Sequence, residues 1–125
     1  MPARILVVED NPENLELKVY LLEAFGYSPL TARNGREALA IVQEIIPDLI
    51  ICDLFMPEMD GFEFCSLVKA DSRLATVPLI AVTALAMAGD RARVLAAGFD
   101  GYIAKPIAPE TFIDEVESFL KARPG

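Results

Sequence analysis

A chain of 125 residues is close to the commonest domain size, so one domain with one core is expected, with no room for a second catalytic lobe or an effector domain. Acids outnumber bases 19 to 11, a formal net charge of −8, which argues against binding nucleic acid through its phosphates. Histidine is absent, which removes the commonest general base and metal ligand and leaves carboxylates, hydroxyls and lysines to carry any chemistry.

In chain order, short apolar runs alternate with helical patterns. Ile5-Leu6-Val7-Val8 is continuous, apolar and rich in β-branching, as suits a strand buried on both faces. Asn11-Pro12 then opens a helix, Asn as N-cap and Pro at the first helical position. Its predicted apolar stripe is Leu15, Val19 and Leu22, and Gly26 ends it. A weaker strand is predicted over 28–31. Gly35 precedes a second helix carrying Leu39, Val42 and Ile45/Ile46, ended before Pro47. A second strongly apolar run covers 48–52. The third helix follows Asp60-Gly61, with Phe64, Leu67 and Val68 as its stripe. A third apolar run covers 78–82. An Ala-rich helix is predicted over 90–97, stopped by Gly98, with few large anchors beyond Val94 and Leu95. A weaker strand follows at Gly101-Tyr102-Ile103-Ala104. The last helix opens at Pro109, with Phe112, Ile113, Val116, Phe119 and Leu120 on one face. Residues 122–125 read as a frayed tail.

The pattern is β-α repeated five times. A helix in every crossover implies an α/β fold with a parallel sheet and right-handed connections. No apolar run approaches the length of a membrane span, and no signal peptide precedes the first strand, so a cytoplasmic protein starting naturally at Met1 is expected. Cys52 and Cys65 are isolated and read as free thiols.

Ligands of open α/β sheets bind beyond the carboxyl ends of the strands. Glu9-Asp10 follow the first strand, Asp53 the third, Thr83 the fourth and Lys105-Pro106 the fifth. Each residue alone has an ordinary role, as a helix cap, turn residue, loop hydroxyl or surface charge. Four successive strand ends bearing them together are harder to explain that way. The acids would face each other if the first and third strands are neighbours. Clustered carboxylates need a cation or raised pKa values, and oxygen ligands favour a hard ion such as Mg²⁺. A cation, an ammonium and a hydroxyl around one carboxylate could stabilise a phosphoryl group in transfer, with Asp53 as nucleophile.

Four segments carry a resemblance: Val7-Val8-Glu9-Asp10-Asn11, the stretch from Asp53 through Met56-Pro57 to Asp60-Gly61, Val82-Thr83-Ala84, and Gly101-Tyr102-Ile103-Ala104-Lys105-Pro106. In this order and spacing the chain, from about Arg4 to Leu120, resembles the receiver domain of bacterial two-component response regulators. It is most similar to stand-alone, cell-cycle-type receivers and to the receivers of hybrid histidine kinases. The resemblance implies a doubly wound five-stranded sheet in the flavodoxin-like order 2-1-3-4-5. It implies that Asp53 takes a phosphoryl group from a histidine kinase or histidine phosphotransferase. With no histidine in the chain, that donor must come in trans. Asp10 and Asp53 would ligate Mg²⁺, or Mn²⁺ in its place, with the Phe55 backbone carbonyl, and Glu9 would help directly or through water. Lys105 would pair with phosphoryl oxygens. Thr83 and Tyr102 would switch, and the Lys105-Pro106 bond would be cis. Phe55 and Leu85 would shield the acyl phosphate from water. A downstream protein would bind the face made by the fourth helix, fifth strand and fifth helix.

Two positions depart from the pattern: Glu9 stands where many receivers have Asp, and Ala108 is a poor N-cap. Two alternatives share the chemistry. One is a Mg²⁺-dependent phosphatase with an Asp nucleophile, but such enzymes place it after the first strand in a D-x-D pattern, which Glu9-Asp10-Asn11 does not supply. The other is a receiver cut from a hybrid kinase. No turnover of small molecules is expected.

Overall fold

The computed structural model describes residues 3–84 and 88–121. Ten elements alternate: β1 Ile5–Val8, α1 Pro12–Ala24, β2 Leu30–Ala32, α2 Gly35–Glu44, β3 Leu49–Asp53, α3 Gly61–Ala70, β4 Leu79–Thr83, α4 Ala88–Ala96, β5 Gly101–Ala104 and α5 Pro109–Lys121. The strands are all parallel, in the order β2-β1-β3-β4-β5. Successive residues of a strand point to opposite faces, and the core divides accordingly. Leu6, Val8, Ile50, Cys52, Leu79 and Ala81 pack with Val42, Phe64 and Val94 of α2, α3 and α4. Ile5, Val7, Leu49, Ile51, Ile80 and Val82 pack with Leu22, Phe112 and Val116 of α1 and α5. The sheet is therefore wound on both sides, and order reverses between β1 and β3. Crevices at such a reversal point bind ligands in this class of sheet.

The helix starts follow their caps. Asn11, Asn34 and Asp60 side chains accept the N–H of Asn14, Glu37 and Glu63. Glu37 reaches back to accept the N–H of Arg33, the residue before the cap, at 3.0 Å, which ties the chain entering α2 to its first turn. Ala108 offers only its carbonyl to Thr111 and Phe112 at the start of α5. Among the described residues no helix is long and apolar enough to cross a membrane. Both cysteines are buried and free.

Several boundaries differ from expectation. Strand β2 begins at Leu30, not Ser28, because Pro29 has no N–H to donate to a ladder. Strands β3 and β4 each run one residue further, so Asp53 and Thr83 are the last strand residues and not the first loop residues; Asp53 is still in register with Val82. Helix α4 starts at Ala88, which places Asp90 in its first turn, where an acid complements the helix dipole. Some expected core residues face solvent: Ile46 is 49% exposed, Leu67 46% and Leu95 44%; among the described side chains of α4, Val94 is the buried one. The buried side of α1 is Lys18 and Leu22, with Leu15 and Val19 half-buried. The tail at 122–125 lies outside the described residues.

One contact ties the two helices of the second face together. The Tyr27 hydroxyl, just past α1, donates to Glu117 Oε2 of α5 at 2.9 Å. Burial first, and the Glu117 carboxylate second, push the Tyr27 phenol above its ordinary value of 10.0. A phenol held neutral in the folded state contributes stability that is complete below pH 10.0 and lost as pH rises through the raised value. Tyr27→Phe should cost about 1 kcal/mol near neutral pH, the net worth of one hydrogen bond. Denaturant midpoints of the two proteins should converge above pH 10.0.

Candidate functional site

The strand register brings the predicted residues together at one edge. Glu9 follows β1, and its N–H donates to Ala32 O of β2 at 2.9 Å. Asp53 ends β3, Thr83 ends β4, and Lys105 follows β5, its N–H donating to Thr83 O at 2.8 Å. The cis Lys105-Pro106 bond is present. Carboxylate oxygens of Glu9, Asp10 and Asp53 lie within 4.8 Å of one another. Glu9 and Thr83 are buried, Asp53 is 6% exposed, and Asp10 faces solvent.

Each oxygen of Asp53 has a donor: Leu54 N–H on Oδ1 and Lys105 Nζ on Oδ2, both at 2.8 Å. Burial pushes the Asp53 carboxyl above its ordinary value, and the nearby Glu9 adds to this against the pull of Lys105. Glu9 behaves oppositely. Burial raises it too, but Lys18, donating to Oε1, and the Asn11 N–H, donating to Oε2 at 3.1 Å, together hold it below its ordinary value. Three oxygen donors, one on the surface, form a set suited to a hard divalent ion that keeps several waters. Beside them runs a groove of about 290 Å³ between α1, at Asn14, Leu17 and Lys18, and the turn at Lys105, Pro106 and Ile107; it leaves the outer side of Lys105 reachable.

The remaining predicted residues sit further out. Phe55 lies two residues past Asp53 in the loop after β3; it is 60% exposed and leans edge-on against Phe62, with ring centroids 6.4 Å apart. Leu85, its expected partner in shielding, lies outside the described residues. Tyr102 of β5 is half-buried, and the Arg91 guanidinium of α4 lies 5.2 Å from its ring centroid. Lys18 was not among the expected site residues. Its signal was a charge at i+3 from Leu15 and i−4 from Leu22, on the apolar side of α1.

Comparison with known proteins agrees with this geometry. The family described as the response regulator receiver domain matches residues 5–117. The chain is 44% identical over 120 residues to the polar-differentiation response regulator DivK of Brucella anthropi, covering 96% of this chain and 98% of that one. It is similar to the signal receiver domain of a signal transduction histidine kinase from Syntrophus aciditrophicus, with TM-score 0.87, 39% identity and coverage of 96% and 91%. It is also similar to the receiver domain of a sensor histidine kinase of Pseudomonas aeruginosa, crystallised with magnesium coordinated in its active-site cleft. There the TM-score is 0.88, the identity 30% and the coverage 97% and 99%.

Proposed function

The chain belongs to the response regulator receiver family, and from that membership we propose that Asp53 is its phosphoacceptor, charged in trans by a histidine kinase or a histidine phosphotransferase in the cytoplasm. The observation that carries this reading is the Asp53–Lys105 contact, 2.8 Å long, inside a cluster of three carboxylates at the carboxyl edge of the sheet. A carboxylate oxygen of Asp53 attacks the phosphorus of the donor's phosphohistidine. The P–N bond breaks, its electron pair leaves with the imidazole, which takes up a proton, and an acyl phosphate remains on Asp53. Lys105 moves with the incoming charge from the carboxylate to the phosphoryl oxygens. Thr83, at the end of the adjacent strand, donates its hydroxyl to them.

Asp10, Asp53 and the Phe55 carbonyl would hold Mg²⁺, with Mn²⁺ as a substitute and Glu9 in support. When bound, the ion supplies positive charge against the phosphoryl oxygens. The engaged Thr83 draws Tyr102 inward, away from Arg91, and this biases the face of α4, β5 and α5 toward a downstream protein. A helix with one buried anchor among its described side chains, Val94, is suited to such a shift.

The test is incubation with a phosphorylated histidine donor and Mg²⁺. The expected product is a stoichiometric phosphoryl label that neutral hydroxylamine removes, as it does from an acyl phosphate. A hydroxylamine-resistant label would move the site off a carboxylate. Steady turnover of small phosphomonoesters would instead make the protein a phosphatase.

A further inference from the structure

Lys18 is 2% exposed and lies one turn before Leu22 on the sheet-facing side of α1. Its Nζ donates to Glu9 Oε1 at 2.5 Å, and Glu9 is itself fully buried. An ammonium this deep is retained only against a counter-charge. Lys105 is placed differently. Its side chain is 26% exposed, it contacts Asp53 at 2.8 Å, and it stands 3.9 Å from the same Glu9 oxygen. Three carboxylates thus face two ammoniums, one committed to Glu9 and one to Asp53. Both Glu9 oxygens already have donors, Lys18 on one and the Asn11 N–H on the other. A carboxylate oxygen can accept one hydrogen bond and still ligate, but direct coordination by Glu9 would set the ion against the Lys18 ammonium, which at 2% exposure cannot withdraw as the 26%-exposed Lys105 can from Asp53. Asp10, exposed and unburdened by a buried lysine, would not.

We propose that Lys18 is a built-in counter-cation that keeps Glu9 out of the metal's coordination, so that Asp10 and Asp53 hold the divalent ion and the Lys18–Glu9 pair sets how tightly. The inference rests on the metal-binding reading above. It makes Lys18 a positioning residue, acting on the ion through Glu9. The pair is close to neutral as a unit, so removing both charges leaves the metal's electrostatic environment nearly unchanged. Removing one does not, because a lone unit charge a few ångströms from a divalent ion shifts its dissociation constant by at least about tenfold, the figure for the dielectric of water, and by more at the lower effective dielectric of a protein.

Calorimetric Mg²⁺ titrations of the unphosphorylated protein test this through a cycle of Glu9→Gln, Lys18→Met and the double variant. Glu9→Gln alone should weaken binding by at least about tenfold, because Lys18 is left unopposed. Adding Lys18→Met to it should restore the wild-type constant to within about threefold. Lys18→Met alone should tighten binding. If the unpaired buried charge of either single variant prevents folding, the double variant, which carries neither charge, still decides: binding within about threefold of the wild type supports the proposal, and binding weaker by about tenfold or more makes Glu9 a direct ligand. A double variant as weak as Glu9→Gln would make Glu9 a direct ligand and overturn the proposal. Wild-type protein that binds no Mg²⁺ would overturn the metal reading itself, and this inference with it.

Discussion

Asp53→Asn is expected to abolish phosphoryl transfer, lowering label from a phosphohistidine donor by at least about a thousandfold, as loss of a nucleophile does. An amide oxygen does not attack phosphorus under these conditions, while the side chain keeps its shape. The same substitution should alter folding in a direction fixed by burial. The Asp53 carboxyl is held above its ordinary value of 3.8 by desolvation, with Glu9 adding to it. A carboxyl so raised favours the folded state while protonated, and that contribution is lost as pH rises through the folded value. At neutral pH the wild type therefore carries a buried, repelled carboxylate that Asn lacks. The variant should melt higher than the wild type without divalent ions, and its advantage should shrink as pH falls toward 3.8. One contact offsets part of this gain. Asp53 accepts from Leu54 N–H and from Lys105 Nζ, and an amide has a single accepting oxygen for the two. Radiolabel transfer and thermal melts across pH read the two effects separately. Label persisting in Asp53→Asn would place the acceptor at another residue.

Much of this site is legible before any coordinates. The strands β1, β3 and β4 are buried on both faces, so they appear in the chain as unbroken apolar runs. A polar residue that ends such a run is conspicuous, which is how Glu9, Asp53 and Thr83 stand out. Lys105 is legible for a different reason, the Lys-Pro step after a short strand. Strand β2 is harder to place because it is a three-residue edge with one neighbour, and its apolar pattern is correspondingly thin. Lys18 is not legible in the sequence, because a lysine in a helix is ordinarily solvated. Only the packing of α1 on the sheet shows that this one points inward and meets Glu9. Leu67 and Leu95 err the other way, since helical periodicity marks a face without showing whether anything covers it. The Arg91–Tyr102 stack joins residues from adjacent elements at a distance the chain does not encode locally.

Gly61→Ala is expected to cost about 3 kcal/mol or more of folding stability, at the upper end of what overpacking a core does. Gly61 ends the Asp53–Gly61 stretch, one of the four segments that carry the resemblance, and the fold supplies a reason for a glycine there. A Cβ at residue 61 would lie 2.4 Å from the Asp53 carbonyl oxygen and 2.9 Å from Leu54 Cα. Both are backbone atoms at the end of the central strand, so no side chain can swing aside. The Gly61 N–H also donates to Leu54 O at 2.8 Å, closing the loop that carries Phe55. Any shift that admits the methyl must therefore open this loop or displace the end of β3, and with it the Asp53 carboxylate. Mg²⁺ affinity should fall together with stability, a coupling that a remote destabilising change would not produce. Two other glycines calibrate the effect. Gly101→Ala would meet the end of the Phe119 ring at 2.6 Å, a side chain that can turn, so its cost should be smaller. Gly89→Ala meets nothing within 4 Å and sits in α4, where replacing Gly by Ala stabilises by about 0.5 kcal/mol. Denaturant melts of the three variants should rank Gly61→Ala lowest and Gly89→Ala highest. A Gly61→Ala protein as stable as Gly101→Ala would show that the Asp53–Leu54 backbone yields, and that the close approach of α3 to the end of β3 is not what holds the Asp53 carboxylate in place.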